Sequence, residues 1–358
     1  MAGPGVRDPR SHTRSAASAR PSLGPSPPPH RLPTFRRPNP RRTAVLFRRL
    51  ANWFLMSLVL LLAITGLTFV LISLTPGDAA RTVVGPTATM EKYEQVREQL
   101  GLDLPLWQQY WEWLSGVFQG DFGHSLITGV PISQILSDRV EPTIALMLCA
   151  FVGASILGIT LGVISASKGG PVAKAADVGS VVGLAVPSFW VGLVLASVFA
   201  VQLRLLPTSG YSPAVDGFWP WVQHMILPVL TLTVGGTALL AKQTRDAVGE
   251  QLAQPYVVLL RAHGVSERTI VWRHALRNAA VPIVTILGMK MIGLTSGTVL
   301  VETVFVIPGL GGYSVNATLL HDLPVVQMIT LIFTVVIIIT NLVVEVVYSR
   351  LDVKAVAP

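Results

Sequence analysis

Few residues of this sequence combine a reactive side chain with a suitable neighbour. Lys290 stands in an otherwise apolar stretch, where a charge is costly and often marks a polar pathway. Lys290 could attract a carboxylate, such as a peptide C-terminus. Alternatively, it could form an ion pair with another subunit or extend its amine to the interface. Glu302, at the end of the same stretch, is the second pathway candidate.

The remaining nucleophilic and metal-binding residue types lack partners in the sequence. The single cysteine, Cys149, lies in an apolar run and is predicted to be a packing residue. His224 has no neighbouring ligand, so a metal role is not favoured. The chain also contains no G-x-x-x-x-G-K-[ST] phosphate loop. The sequence therefore predicts no enzyme activity, no catalytic residue, no metal site and no cofactor bound by this chain.

Composition indicates a membrane protein. Of the 358 residues, 51% are hydrophobic and only 13% are charged, against about 25% charged in a typical soluble domain. The net charge of +8 does not indicate a nucleic-acid partner, because eleven of the 27 Lys and Arg residues lie within the first 49 positions.

Six intervals are apolar and long enough to cross a bilayer as helices, which requires about 20 residues. They are bounded by Leu50 and Gly77, Glu141 and Lys168, Asp177 and Arg204, Asp216 and Lys242, Arg277 and Glu302, and Asp322 and Glu345. Alternating strand patterns typical of membrane barrels are absent from the sequence. We therefore expect an all-α integral membrane protein with six transmembrane helices, and Pro187, Pro228 and Pro282 are candidate kink positions.

The distribution of basic residues predicts the orientation, since positive charge gathers on the cytoplasmic side. The Arg-rich N-terminus and the basic loops after the second and fourth spans fall on one side. This pattern predicts a multi-pass protein of the cytoplasmic (plasma) membrane with both termini cytoplasmic.

Four regions follow from this topology. Residues 1–43 are rich in Pro, Ser, Gly and Arg and are predicted to be a disordered tail, either attracted to lipid headgroups or dispensable. Residues 44–139 hold the first span and an extracytoplasmic segment with helical patterns at 89–100 and 107–118. The second pattern presents Trp and Tyr residues, which favours the membrane interface, although a substrate-binding stripe is the alternative. Residues 140–351 form the core, and 352–358 a cytoplasmic tail.

The loop at residues 246–277 mixes apolar and charged residues and is too long for a simple connection. We predict two short helices broken at Gly264. A rigid, partly exposed element beside the membrane suits docking of another protein, whereas the alternative is a loop resting on lipid headgroups.

Several motifs of this chain resemble those of binding-protein-dependent ABC importer permeases, most closely the dipeptide, oligopeptide and nickel group. The loop segments 261–268 (RAHGVSER) and 273–279 (RHALRNA) are similar to that group's cytoplasmic signature. Segments 301–311, 100–110 and 120–125 also match motifs of the group in the expected order. The departures are Leu259, Leu260, His263 and Lys290, which stand where other residues are usual, and the N-terminal extension.

The resemblance implies a type I ABC importer permease fold and a set of partners. The expected partners are a second permease subunit, two ATPase subunits that use ATP and Mg, an extracytoplasmic solute-binding protein and membrane lipid. The implied contacts to the ATPase come from the loop residues Tyr256, Arg261, Ala262, Gly264, Ser266, Glu267 and Arg268.

Two other functions compete with this interpretation. A gradient-driven single-chain transporter would normally show an internal repeat and acidic residues within the spans, and neither is found in the sequence. A structural membrane protein would give the 246–277 loop no role. The substrate is not readable from the sequence: dipeptides, longer peptides, nickel chelates and other solutes remain open.

Overall fold

The computed structural model describes residues 40–75 and 77–352. Most of the predicted tails, 1–39 and 353–358, lies outside the described residues, whereas residues 40–43 belong to the first helix and residue 352 to the last. Fourteen α-helices are found in the described ranges, with no strand beyond one isolated bridge between His124 and Pro131. The first seven are α1 Pro40–Leu74, α2 Ala79–Val84, α3 Met90–Gln99, α4 Leu106–Gln119, α5 Ile132–Lys168, α6 Gly170–Ala185 and α7 Ser188–Leu195. The rest are α8 Phe218–Leu252, α9 Pro255–Ala262, α10 Glu267–Thr269, α11 Leu276–Asn278, α12 Ala280–Phe305, α13 Leu310–Leu319 and α14 Leu323–Asp352.

The all-α fold class is confirmed, but the count of six continuous spans is not exact. Within the described residues, five helices are long and apolar enough to span a membrane: α1, α5, α8, α12 and α14. The third predicted span is instead divided at Val186 and Pro187 into α6 and α7, and α7 continues as a π-helical segment, Ala196–Gln202. Val186 adopts extended backbone with ψ 123°, because the residue before a proline is disfavoured in the α region.

Helices α5 and α8 form the most closely packed pair of the fold, and glycines on α5 make that packing possible. A Cβ built at Gly158 would lie 2.7 Å from Leu240 Cβ, and one built at Gly162 would lie 2.6 Å from Thr244 Cβ. Close approach of this kind is typical of small residues at membrane helix interfaces. Helices α6 and α12 pack on both α5 and α8, and α14 packs on α12.

The segment between α1 and α5 carries the two helices that the sequence predicted, α3 and α4. Thr89 caps α3, and its hydroxyl accepts a hydrogen bond from Lys92 N. One face of α4 is anchored, since Tyr110 OH lies 2.9 Å from Thr65 Oγ1 on α1. The opposite face exposes Trp107, Trp111 and Phe118 at 65–76% of their surface. This two-faced character fits the predicted position at the membrane interface, which remains a prediction.

We predict that Gly162→Ala destabilises the protein. The added methyl group would lie 2.7 Å from the Ala241 carbonyl oxygen, and overpacking of this kind typically costs about 1–3 kcal/mol. The apparent melting temperature of purified protein in detergent measures the effect.

The matched control is Gly249→Ala on α8, where a new Cβ would meet nothing within 4 Å and the better helix propensity of Ala should be neutral or stabilising. Equal melting temperatures for the two variants would contradict the close α5–α8 contact.

Candidate functional site

The loop at residues 246–277 contains the two helices predicted from sequence. It is called the coupling loop below, after the contact to an ATPase that the resemblance implies and that stays a prediction. α8 extends into it as far as Leu252, α9 follows, and the chain then turns at Gly264 before α10. Gly264 has φ +75°, a conformation that glycine adopts without strain. The Val265 amide donates to the Leu260 carbonyl at 3.1 Å, and the Gly264 amide donates to the Arg261 carbonyl at 3.0 Å. These two bonds form a Schellman motif that ends α9.

Arg261 and Glu267 pair with each other across this turn. Arg261 Nε donates to Glu267 Oε1 at 2.5 Å, and the second guanidinium contact to Glu267 Oε2 is 3.3 Å. The hydrogen bond lowers the pKa of the Glu267 carboxyl and raises the pKa of the Arg261 guanidinium. Both side chains are exposed, at 47% and 61%, so the pair holds the two arms of the turn together on the surface.

The loop has one buried arm and one exposed arm. After α10 the chain forms a π-helical turn, Ile270–Ala275, in which Ile270 and Ala275 are fully buried. Val271 and Ala275 pack there with Val163 of α5 and Val248 of α8. By contrast, α9 buries Val257 but exposes Val258 and Leu259 at about 60%. The loop is therefore fixed to the membrane helices and still presents an apolar surface.

The other predicted loop residues divide between capping and exposure. Ser266 caps α10, and its Oγ accepts a hydrogen bond from Thr269 N at 3.4 Å. Tyr256 OH donates to Gln251 Oε1 at 3.4 Å. Ala262 and Arg268 are exposed, and among the described residues no carboxylate lies within 4 Å of Arg268. Their contacts to an ATPase stay predictions.

Lys290 lies near the middle of α12, with its amine directed into the helix bundle. Its chain crosses Gly236 of α8, where a Cβ would lie 2.3 Å from Lys290 Cε and 2.8 Å from Nζ. That same Cβ would lie 3.0 Å from Ala154 Cβ of α5. No carboxylate of the described residues lies within 4 Å of the Lys290 amine. An ion pair within this part of the chain therefore does not explain the charge.

Glu302 is buried, and both of its carboxylate oxygens accept hydrogen bonds. Thr143 Oγ1 of α5 donates to Oε1 at 2.7 Å, and the Gly312 amide of α13 donates to Oε2 at 2.9 Å. The Thr143 hydroxyl in turn accepts from the Leu310 amide at 2.8 Å. A carboxylate at a helix N-terminus is favourable, and Glu302 thus joins α5, α12 and α13. This geometry favours a structural role for Glu302, whereas a role of Glu302 in the translocation pathway stays a prediction.

Two polar clusters were not singled out from sequence. The Asp322 carboxylate before α14 accepts hydrogen bonds from the Ser125 hydroxyl and from the Leu126 amide at 3.0 Å. Burial raises the pKa of Asp322, and these bonds oppose the shift. Tyr211 donates to Glu141 and accepts from Trp221 Nε1 at 3.1 Å. Their sequence separations, 197 residues for the first pair, leave no local signal.

Metal ligands do not converge in the described ranges, where no three His, Cys, Asp or Glu residues form a group that could hold an ion. Cys149 is a free, half-buried cysteine of α5, which fits the packing role that the sequence suggested.

We predict that Glu302→Gln destabilises the protein by about 1–3 kcal/mol. The new amide nitrogen would be a donor, and it would face either the Thr143 hydroxyl or the Gly312 amide, both of which donate to this site. The apparent melting temperature in detergent checks this. Glu345→Gln, at an exposed position of α14, is the control, and an equally small effect at both positions would refute the clamp.

Comparisons with known proteins cover most of the chain. Residues 158–355 match the family model described as the binding-protein-dependent transport system inner membrane component. Residues 45–147 match the model for the N-terminal part of such membrane components. The predicted boundary at residue 140 falls inside α5 and within the stretch that the second model matches.

Curated relatives match along almost their whole length. The protein named "Probable peptide ABC transporter permease protein y4tP" of Sinorhizobium fredii is 39% identical over 300 residues, which are 83% of this chain and 96% of that protein. The glutathione transport system permease protein GsiC of Escherichia coli K12 is 38% identical over 294 residues, covering 82% and 93%.

A solved structure supports the fold. A chain of the MetNI methionine ABC transporter, in inward-facing conformations, matches with a TM-score of 0.50 and 16% identity, covering 61% of this chain and 97% of that chain. The fold is thus that of a type I importer permease. The matched family and relatives replace the alternative of a gradient-driven single-chain transporter. The chain belongs to the binding-protein-dependent transport system inner membrane component family, in its peptide group, and is a permease subunit of an ATP-driven importer.

Proposed function

We propose that this chain pairs with a second permease subunit and imports peptides or a related small solute. Two cytoplasmic ATPase subunits, which bind ATP and Mg, would drive the pair, and an extracytoplasmic binding protein would deliver the solute. The names of the relatives, a peptide permease and a glutathione permease, support a peptide-type substrate. The basic residues of the coupling loop support an orientation with this loop and both termini in the cytoplasm.

The observation that carries the proposal is the two-armed geometry of the coupling loop. The exposed arm, α9, offers Val258 and Leu259 to a partner, and Arg268 adds an exposed charge. The buried arm packs Val271 and Ala275 against Val163 of α5 and Val248 of α8. A push on α9 by closing ATPase subunits would therefore reach the core through a short, rigid path and change the tilt of the spans.

The ion pair between Arg261 and Glu267 changes the role that we expect for these two residues. Since each already satisfies the other, their first function is to brace the turn. The other residues expected at the docking surface would likewise act by holding the shape of the loop: Tyr256, Ala262, Gly264 and Ser266. Lys290 remains the principal pathway candidate, because its charge has no partner carboxylate in the described parts of the chain, whereas Glu302 is engaged on both oxygens.

We predict that Gly264→Pro uncouples ATP hydrolysis from transport. Proline fixes φ near −65°, whereas Gly264 has φ +75°, so the turn and the Schellman motif cannot form. Substrate-stimulated ATP hydrolysis by the reconstituted complex should fall to its unstimulated level. Gly264→Asn is the matched control, because asparagine tolerates the left-handed region and should keep most of the stimulation. Unchanged coupling in Gly264→Pro would count against the proposal.

A charge exchange tests the brace. We expect Arg261→Glu and Glu267→Arg each to reduce substrate-stimulated ATP hydrolysis, because each places like charges across the turn. The double variant carrying both changes should recover much of the activity, since the pair is restored with reversed polarity. A double variant as impaired as the sum of the two single variants would indicate that the residues contact the ATPase directly instead.

A further inference from the structure

One arginine at the start of α5 is held in place by an aromatic ring and not by an acid. The Arg139 guanidinium stacks on the ring of Tyr313 of α13, with Cζ 4.0 Å from the ring centroid. Among the described residues no carboxylate lies within 4 Å of this guanidinium. Stacking occupies the flat face of a guanidinium, whereas its five N–H donors point outward from the edge. The donors of Arg139 are therefore oriented but not neutralised by a direct ion pair.

Open space adjoins this arginine on two sides. Arg139 and Tyr313 both line a cavity of about 440 Å³ and a second cavity of about 240 Å³. Thr303 of α12 and Asn316 of α13 add polar groups to the larger cavity, and Gln134 of α5 adds one to the smaller. Among the described residues that line them, Arg139 is the only cation. Apolar concave space with a few convergent polar groups is typical of a ligand site.

The larger cavity lies at the end of a helix face that does not have the character of a lipid-facing surface. Thr303 shares one exposed face of α12 with Ser296 and Gly293, at the spacing of three and seven residues that a helix face requires. By contrast, every exposed residue of α1 between Phe54 and Leu74 is apolar. Small and hydroxyl-bearing residues are typical of membrane-helix faces that contact protein or a polar path. The cavity beside Arg139 therefore suits the interior of an assembled transporter.

Two carboxylates border the cavities without binding the arginine. Glu302 lines the larger cavity, but its oxygens accept hydrogen bonds from the Thr143 hydroxyl and the Gly312 amide. Asp138 lines the smaller cavity and accepts from the Ser137 hydroxyl at 3.2 Å. These acids weaken the attraction of the site for an anion, but they leave the guanidinium donors open. Weak attraction fits a transport path, because a site along such a path must also release what it binds.

We propose that Arg139, oriented by Tyr313, binds the free carboxylate of the transported solute. A planar guanidinium donates two parallel hydrogen bonds to a carboxylate, which favours this group over a neutral amide. The two cavities provide space for the rest of the solute. This proposal rests on the proposed import function and specifies its substrate class: a solute with a free carboxylate, such as a peptide with an unblocked C-terminus. In the proposed orientation the site lies at the extracytoplasmic end of the path.

A labelling experiment tests the site without transport. The full chain in phosphatidylcholine nanodiscs is treated with phenylglyoxal, which modifies arginine, and modification of each arginine is read by mass spectrometry. We expect sodium acetate to slow the modification of Arg139 severalfold, because acetate occupies the guanidinium donors. Sodium chloride at equal ionic strength and acetamide should have little effect. Arg268, exposed on the coupling loop, is the internal control and should react equally in all three solutions.

Two results of this experiment would overturn the site. The first is equal modification of Arg139 in all three solutions, or no modification in any of them. The second is protection by phosphatidylglycerol, added to the nanodiscs in place of acetate, that equals the protection by acetate. That result would assign Arg139 to lipid headgroups.

Uptake by the reconstituted complex gives the second test, with alanyl-alanine and its C-terminal amide as probes. Loss of the charge-assisted hydrogen bonds in Arg139→Gln should lower the ratio of acid to amide uptake by about tenfold or more. Arg139→Lys keeps the charge but loses the planar fork, so it should lower the ratio less.

Arg97→Gln is the matched control for uptake. Arg97 is an exposed residue of α3, and among the described residues no carboxylate lies within 4 Å of it. The substitution removes the same charge away from the cavities and should leave the ratio unchanged. An equal fall in both glutamine variants would indicate a general attraction of anions to the surface and would contradict a site at Arg139.

The two proposals fail in different ways. An unchanged acid-to-amide ratio in Arg139→Gln, with ATP-dependent uptake intact, would overturn the carboxylate site alone. Uptake by the wild-type complex that needs no ATP would overturn the proposed function, and acetate protection of Arg139 would still decide the site. The same labelling of the wild-type chain decides it if neither probe is taken up or if the variants do not fold.

Discussion

Close packing of α5 against α8 is the contact on which the other features depend. It requires glycines at positions 158 and 162, because the neighbouring Leu240 and Thr244 occupy the space that a side chain would need. The coupling loop packs on these two helices through Val163 and Val248. The Glu302 clamp engages α5 through Thr143, and Lys290 approaches α8 through Gly236. A shift between α5 and α8 would disturb all three sites.

Backbone hydrogen bonding explains why helix breaks occur where they do. Lipid offers no partners to the peptide groups, so irregular backbone must be covered by protein or satisfied locally. At Gly264, outside the spans, the Schellman bonds satisfy the end of α9. At Val186 and Pro187 the chain breaks within an apolar stretch, and Gly192, just beyond the break, packs closely on Thr231 of α8 and Phe305 of α12.

Sequence patterns predicted the local elements well and the tertiary polar contacts poorly. Hydropathy gave five of the spans, and the turn at Gly264 followed from one glycine between two amphipathic segments. The sequence predicted only a kink at Pro187 and not the break that divides the third span. Hydropathy does not register backbone dihedral angles, so it could not predict this break. The Glu302 clamp joins residues far apart in sequence. Only the fold brings these residues together, and no spacing in the sequence predicts their contacts.

The length of α8 sets the mechanical scale of the transporter. Its 35 residues make a rod about 52 Å long at 1.5 Å per residue, whereas the hydrocarbon core is about 30 Å thick. One end of this rod therefore projects well clear of the lipid, and Arg245 on that projecting part bonds to Asp177 of α6. A lever of this length converts a small sideways displacement at its free end into rotation about a pivot inside the bilayer.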